Sequence, residues 1–352
     1  MTATPILEAR ALTKHFRAGR GVGASGSVVR AVSHVTLAVA PGSVTAIVGE
    51  SGSGKSTLAR LFAQLHAPTS GEVLFRGAAV HVRSARSLRR YAKSVQLILQ
   101  DPYGSLNPYR PIGHTVLRPV RVHATSDALK AGGGGRAEVV RLLERVGLTP
   151  GGDFYSKYPH ELSGGQRQRV SIARALAVNP QVLIADEPIS MLDVSLRLGV
   201  LDLLRDLNKA GLTIIYVTHD LPSARWFAQT IAVMYAGRIV EEGPAEAVVN
   251  HPAHPYTKLL LAATPDPTRR RPEKLQARGE PPSLIHLPDG CAFHPRCPYA
   301  DERCRRLAPP SFAVAHAHSA SCWLHDARPP AQETLASATQ LDNHTTDQEG
   351  TP

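Results

Sequence analysis

Residues Val44 to Leu61 read VTAIVGESGSGKSTLARL, and the fold turns on them. Val44 to Val48 form a short apolar run of the kind that a strand buried on both faces requires. Gly49-Glu50-Ser51-Gly52-Ser53-Gly54-Lys55-Ser56 then fits G-x-x-x-x-G-K-[ST], and Leu58, Leu61 and Phe62 follow at helical spacing. Strand, glycine turn and helix are the setting of a phosphate-binding loop. Gly49, Gly52 and Gly54 let the backbone curl until successive N–H groups face one concavity. The helix N-terminus adds partial positive charge. Lys55 supplies a full charge to the β- and γ-phosphates and Ser56 a hydroxyl to Mg²⁺, with Ser51 and Thr57 completing the expected contact set.

Such a loop needs a carboxylate for the metal and a group that activates water. Val182 to Ala185 is a second doubly buried strand, and it ends on Asp186-Glu187-Pro188. Asp186 is placed to hold Mg²⁺ through water, and Glu187 to orient and partly deprotonate the attacking water. A third stretch, Leu162-Ser163-Gly164-Gly165-Gln166-Arg167-Gln168-Arg169, precedes a helix rising through Val170, Ile172, Ala173 and Leu176. It is a second anion-binding helix N-terminus, or, read alone, a helix cap.

Taken together the three stretches closely resemble ATP-binding cassette (ABC) ATPases, the third being their signature motif. The resemblance implies an α/β P-loop NTPase cassette, with a RecA-like core and a helical subdomain over about residues 101–178, that binds ATP and Mg²⁺. It implies that Ser163, Gly164, Gly165 and Gln166 of one subunit close over the γ-phosphate held by another, so that two nucleotide domains work head to tail. Gln100 matches the glutamine that touches Mg²⁺ and the water, and Asp193 the loop that crosses to the partner. His219, in Tyr216-Val217-Thr218-His219-Asp220, matches the switch histidine at the γ-phosphate. Phe16 resembles the aromatic that stacks on adenine, 33 positions before Gly49 across a Gly- and Arg-rich loop from Arg17 to Ser27; a core phenylalanine is the other reading. Where the family has Thr-Ser-Ala-Leu-Asp after Glu-Pro, this chain has Ile189-Ser190-Met191-Leu192-Asp193. Larger residues are thus expected at the subunit crossing, with hydrolysis intact and coupling between the two sites altered.

The chain has 352 residues, 43% apolar and 20% charged, the balance of an ordinary soluble globular protein. It shows no apolar run near the ~20 residues of a membrane span. MTATPILEAR lacks the basic start and apolar core of a secretory signal, so a cytoplasmic protein is expected. The net charge is +11, with arginines grouped at Arg83/Arg86/Arg89/Arg90 and Arg269/Arg270/Arg271. No aromatics interleave with them, so they read as a solvated or membrane-proximal face rather than a nucleic-acid groove. Strand candidates at Ile6–Phe16, His34–Val39, Glu72–Phe75, Val95–Leu99, Thr213–Val217, Ile231–Tyr235 and Ile239–Val240 alternate with helices, implying a largely parallel sheet. Asp101 to Arg110, with two prolines and a glycine, reads as a loop. Residues 112–160 read as mainly helical, broken by a flexible surface connection at Gly132–Gly135. Residues 1–264 are expected to form the cassette, 265–326 a small Cys-containing accessory domain, and 327–352 a disordered tail.

Gln100 to Pro108 (QDPYGSLNP), His254 to Leu260 (HPYTKLL) and Gly290 to Pro298 (GCAFHPRCP) resemble the oligopeptide/dipeptide importer branch. That implies a peripheral subunit on the cytoplasmic face of the membrane, docked on two transmembrane permeases. A second ABC ATPase subunit, identical or paralogous, and an extracytoplasmic binding protein complete the assembly. Members of the branch also import nickel chelates and oligosaccharides. A soluble cassette acting on DNA or ribosomes is disfavoured: Ser163 follows Gly54 by only 109 positions, too few for an inserted coiled coil, and there is one phosphate loop. The importer-type tail disfavours an exporter. Cys291, Cys297, Cys304 and Cys322 are spaced C-x5-C-x6-C-x17-C, which fits neither paired C-x-x-C zinc sites nor the ferredoxin run. The resemblance implies a [4Fe–4S] cluster. Zinc, assisted by His294, His316 or His318, and plain reduced thiols are the alternatives. Any such site is structural or redox-sensing, outside the ATP chemistry.

Overall fold

The strand leading into the phosphate loop, β3 (Val44–Val48), is buried along its whole length and paired in parallel on both sides. The structure, a computed structural model, describes residues 4–18, 26–123, 135–263 and 279–326. The expected linker at Gly132 to Gly134, the arginines 269–271, the cassette boundary near 264 and the tail from 327 lie outside those residues, as does most of the loop expected after Arg17. Two sheets are present. One has the order β2-β1-β4-β5, from β1 (Leu7–Ala18), β2 (Ser27–Val39), β4 (Ser70–Phe75) and β5 (Ala78–Ala79). The other, eight-stranded, runs β11-β12-β10-β9-β3-β8-β7-β6. Its parallel part is β6 (Val95–Ile98), β7 (Val182–Asp186), β8 (Thr213–Thr218), β3 and β9 (Thr230–Tyr235).

Alternation along these strands explains why they read as unbroken apolar runs. Val44, Ala46, Val48, Leu183, Ile214 and Tyr216 face one core. Ile47, Val182, Ile184, Ile215 and Val217 face the other. Successive side chains point to opposite faces, and here both faces are covered. The first core is closed by helices carrying Val116, Leu142, Val170 and Leu204, and the second by β1, β2 and α1 (Lys55–Phe62) through Leu7, Leu37, Leu58 and Phe62. Each fully buried aliphatic side chain contributes roughly 2 kcal/mol. Among the described residues the α-helices between α1 and β8 are α2 (Ala85–Ser94), α3 (Pro102–Ser105), α4 (Ile112–His123), α5 (Gly135–Arg145), α6 (Gly151–Tyr155), α7 (Gly164–Leu176) and α8 (Val194–Lys209). Among the described residues no helix is long and apolar enough to cross a membrane.

Three local expectations change. The stretch read as a loop from Asp101 to Arg110 contains the single helical turn α3, begun by Pro102, which needs no N–H donor at that position. Gly135, read as part of a connection, opens α5. Ser27 belongs to β2, where it pairs with Ala18, so both flanks of the N-terminal loop are strand.

The C-terminal region adds a hairpin, β11 (Phe312–Ala315) and β12 (His318–Ala320), to the edge strand β10 (Arg238–Pro244). Glu241 on β10 fixes that joint. Its fully buried carboxylate accepts the N–H groups of Ala253 and His254 at 2.9 and 2.8 Å, and its Oε1 lies 2.8 Å from His318 Nε2. A buried carboxylate is tolerable only when so partnered. Glu241→Ala strips two buried N–H groups and His318 of their acceptor, and should lower stability by about 3 kcal/mol, read as an earlier urea midpoint.

Candidate active site

The phosphate loop is the direct product of strand β3 ending against a helix. Crowding explains two of its glycines. A Cβ on Gly49 would lie 2.1 Å from the Met234 carbonyl oxygen, and one on Gly54, where φ is +105°, 2.2 Å from that of Ala31. Gly52 also takes a positive φ, but toward open space. Ser51 is exposed at the rim, while Ser56 and Thr57 are half-buried on the first turn of α1. Lys55 is buried, and its Nζ donates to the carbonyls of Gly49 and Glu50 at 2.8 Å each. Burial pushes this ammonium below the ordinary lysine range, against the pull of Glu187, Asp186 and Glu50.

Asp186 ends β7 almost wholly buried, with Ser56 Oγ donating to its Oδ1 at 3.0 Å. Burial drives its carboxyl upward, and the Ser56 bond only partly offsets this. A hydroxyl and a desolvated carboxylate at hydrogen-bond distance form the hard oxygen pair that suits Mg²⁺. Glu187, the next residue, is turned by a left-handed backbone (φ +46°) and pinned by its N–H to the Val217 carbonyl at 2.9 Å. Gln100 Nε2 donates to its Oε2 at 2.9 Å, and His219 Nδ1 lies 3.3 Å from its Oε1. The structure thus brings Lys55, Ser56, Asp186, Glu187, Gln100 and His219 together from four separate stretches.

The signature residues form a second locus. Ser163 caps α7, accepting from Gln166 N–H at 3.3 Å while Gln166 Oε1 accepts from Ser163 N–H at 3.0 Å. Gly164 opens the helix, and Gly165 packs where a Cβ would meet Leu196 at 3.2 Å. Asp193 is exposed at the start of α8, with Met191, Leu196 and Leu198 exposed around it. Among the described residues no hydrogen bond or ion pair joins this locus to the first. Phe16 lies on β1, half-buried, edge-on to His66 at 5.4 Å with Lys14 Nζ 5.1 Å from its ring centre. Arg83, Arg86, Arg89 and Arg90 are all exposed on or just before α2.

The expected [4Fe–4S] cluster and its zinc alternative find no support in the arrangement of the four cysteines. All are free thiols, and Cys291 lies near enough to influence each of the other three. Yet among the described residues no group of three or more His, Cys, Asp or Glu side chains converges as metal ligands. Burial pushes the Cys291 and Cys297 thiols up, and those of Cys304 and Cys322 to about 12 and about 11. The histidines are also committed elsewhere or distant: His318 pairs with Glu241, His294 Nδ1 lies 3.0 Å from the Cys291 carbonyl, and His316 is exposed.

Sequence reasoning passed over Glu50, Tyr256 and Arg296, which meet at the back of the phosphate loop. Arg296 and Glu50 are 246 positions apart, so no local pattern connects them.

Known proteins resemble this chain over most of its length. Residues 32–190 match the family described as ABC transporter, and residues 240–304 the family described as oligopeptide/dipeptide transporter, C-terminal region. The chain is 42% identical over 309 residues to the di/tripeptide transport ATP-binding protein DppF of Pseudomonas aeruginosa, covering 86% of this chain and 93% of that one. It is also 42% identical to the dipeptide transport ATP-binding protein DppF of Haemophilus influenzae, covering 87% and 92%. Among solved structures it resembles the dimeric, post-hydrolysis ATP-binding cassette MJ0796 bound to ADP and Pi, with a TM-score of 0.58 and 28% identity over 68% of this chain and 98% of that one. CbiO1 of Clostridium perfringens, part of the ABC transporter complex cbiONQ, gives a TM-score of 0.59 and 29% identity over 71% and 92%.

The geometry around Glu187 sets an expectation for its neutral isostere. Glu187→Gln keeps the shape and the Gln100 contact but removes the base. It should bind ATP as wild type does and lose about 100- to 1,000-fold in turnover, measured as phosphate release beside nucleotide binding. Wild-type turnover would remove Glu187 from that role.

Proposed function

The chain belongs to the ABC transporter ATP-binding family, in its oligopeptide/dipeptide branch: it hydrolyses ATP to power peptide import, and we propose that it does so as one half of a head-to-tail pair of cassettes. The carboxylate of Glu187, held through both oxygens beside the Ser56–Asp186 pair, carries the chemical part of this reading. In it, the triphosphate lies along the loop with Lys55 at its β- and γ-phosphates. Ser56, Asp186 and Gln100 would hold Mg²⁺, which would supply charge neutralisation to the phosphate oxygens. Glu187 accepts the proton of a water whose oxygen attacks the γ-phosphorus as the bond to the ADP oxygen breaks. His219 steadies the γ-phosphate from the far side of the same carboxylate. Positioning and electrostatics provide most of the acceleration, as in other phosphoryl-transfer sites. The cysteines take no part.

Ser163 to Gln166 then serve the nucleotide of the partner subunit, which supports a site completed only in the pair. Closure and opening pass to two permeases through the Gln100 to Pro108 region at the cytoplasmic face of the membrane, with a binding protein delivering cargo from outside. Peptide cargo is supported by the match of residues 240–304 and by the relatives' names. A nickel or oligosaccharide importer of the same branch is the second reading, and the binding protein decides between them.

Co-purification of the tagged protein from membranes in mild detergent, with mass spectrometry, should recover two multi-span permeases and either more of the same cassette or a paralogue. Recovery of ribosomes, DNA or no membrane protein would overturn the transport assembly and leave the ATPase alone.

A further inference from the structure

We propose that Arg296, in the C-terminal region, is a positioning residue of the nucleotide site: it neutralises Glu50 within the phosphate loop and thereby sets how tightly MgATP is held. The inference rests on the ATPase reading above and adds to it a residue from outside the loop, strand and signature motifs.

Glu50 directly follows the first glycine of a loop whose task is to receive a polyanion. A carboxylate there opposes that task, since like charges a few ångströms apart in a partly desolvated site repel. Its field reaches the phosphate-binding ammonium, because Glu50 is one of the three acids acting on Lys55. Arg296 answers it with a two-point fork: Nη1 donates to Glu50 Oε2 at 2.7 Å and Nη2 to Oε1 at 3.0 Å. The arginine side chain is only 6% exposed and that of Glu50 28%. The guanidinium carbon lies 5.8 Å from the ring centres of both Tyr235 and Phe293, and the Tyr235 hydroxyl accepts from Nη1 at 3.5 Å. Among the described residues its Nε is buried without a partner, and the Glu50 fork and the two rings set its direction.

The backbone of the same loop residue is held from the same side. Glu50 N–H donates to Tyr256 Oη at 2.8 Å, and Tyr256 packs against Tyr235 and Phe293 with ring centres 4.5 and 5.5 Å away. Tyr256 lies in the HPYTKLL stretch and Arg296 in the GCAFHPRCP stretch. Both sequence marks of the C-terminal region therefore end on one residue of the phosphate loop.

Charge and mere bracing make opposite forecasts. If neutralisation matters, losing Arg296 exposes a carboxylate to the nucleotide, whereas losing the Glu50 charge does not. If only bracing matters, breaking the pair from either end does the same harm. Equilibrium MgATP binding to the full-length protein would be measured for wild type, Arg296→Met, Glu50→Gln and the double variant, with circular-dichroism melts. Arg296→Met keeps an apolar stem between the rings and should weaken MgATP about tenfold. Glu50→Gln should bind at least as tightly as wild type, and the double variant should return to within about threefold of it. Unchanged binding in Arg296→Met, or equal weakening in both single variants, would overturn the proposal. If Arg296→Met does not fold, Glu50→Gln and the double variant still decide: wild-type affinity in both supports neutralisation, and weakening in Glu50→Gln overturns it. A wild-type chain that binds no MgATP would overturn the ATPase reading itself.

Discussion

Double burial of the central parallel strands is the constraint from which the site follows. With apolar cores on both faces, β3, β7 and β8 have no place for a charged side chain along their length, so the polar groups that phosphate chemistry needs collect beyond their C-terminal ends. Parallel register then levels those ends. Asp186 pairs with Val217 and Val217 with Ile47, which puts Glu187 level with Thr218 and Val48, and Gly49 level with His219. Loop, base and switch histidine meet because their strands run side by side and stop together, the general location of ligand sites in open α/β sheets.

Burial also sets the charge state of the site. Lys55 is pushed toward neutrality by desolvation and held charged by Glu187, Asp186 and Glu50. Asp186 is pushed the same way, with only a serine hydroxyl hydrogen-bonded to it. A cation beside Asp186 would relieve what burial costs it, and a polyanion alone would meet the Asp186 and Glu187 carboxylates beside one lysine. The same groups that make the site inhospitable to bare ATP suit it to the magnesium complex.

What could be read directly from the chain was what lies within a few residues of a strand end. The G-x-x-x-x-G-K-S run, Asp186-Glu187 and the Ser163 cap each carry their whole chemical argument locally, and the structure places them on the elements their patterns imply. Contacts between distant segments left no such mark. The Glu50–Arg296 fork, the Glu241–His318 pair and the addition of β12 to β10 depend on how the C-terminal region packs, which no periodicity encodes. The cysteine spacing pointed to no particular metal site; the [4Fe–4S] expectation came from the family resemblance, and the arrangement of these thiols adds no support to it. Phe16 was ambiguous between adenine platform and core residue, and its contacts with His66 and Lys14 place it in a local cluster at the end of β1.

The two residues that depart from the family pattern after Glu187-Pro188 have different fates. Ile189 is buried within the core shared with α7 and α8, so its added bulk is absorbed by packing inside the subunit. Met191 is 54% exposed and Leu196 40%, and Leu196 packs on Gly165 of the signature turn. Large apolar side chains left in water at a helix N-terminus are the surface expected of an edge meant to be covered. The Ser163–Gln166 cap already satisfies its own donors, so the turn is ordered before any phosphate reaches it. Of the two substitutions, only Met191 presents its side chain at the surface, as a flexible apolar group separate from the catalytic residues.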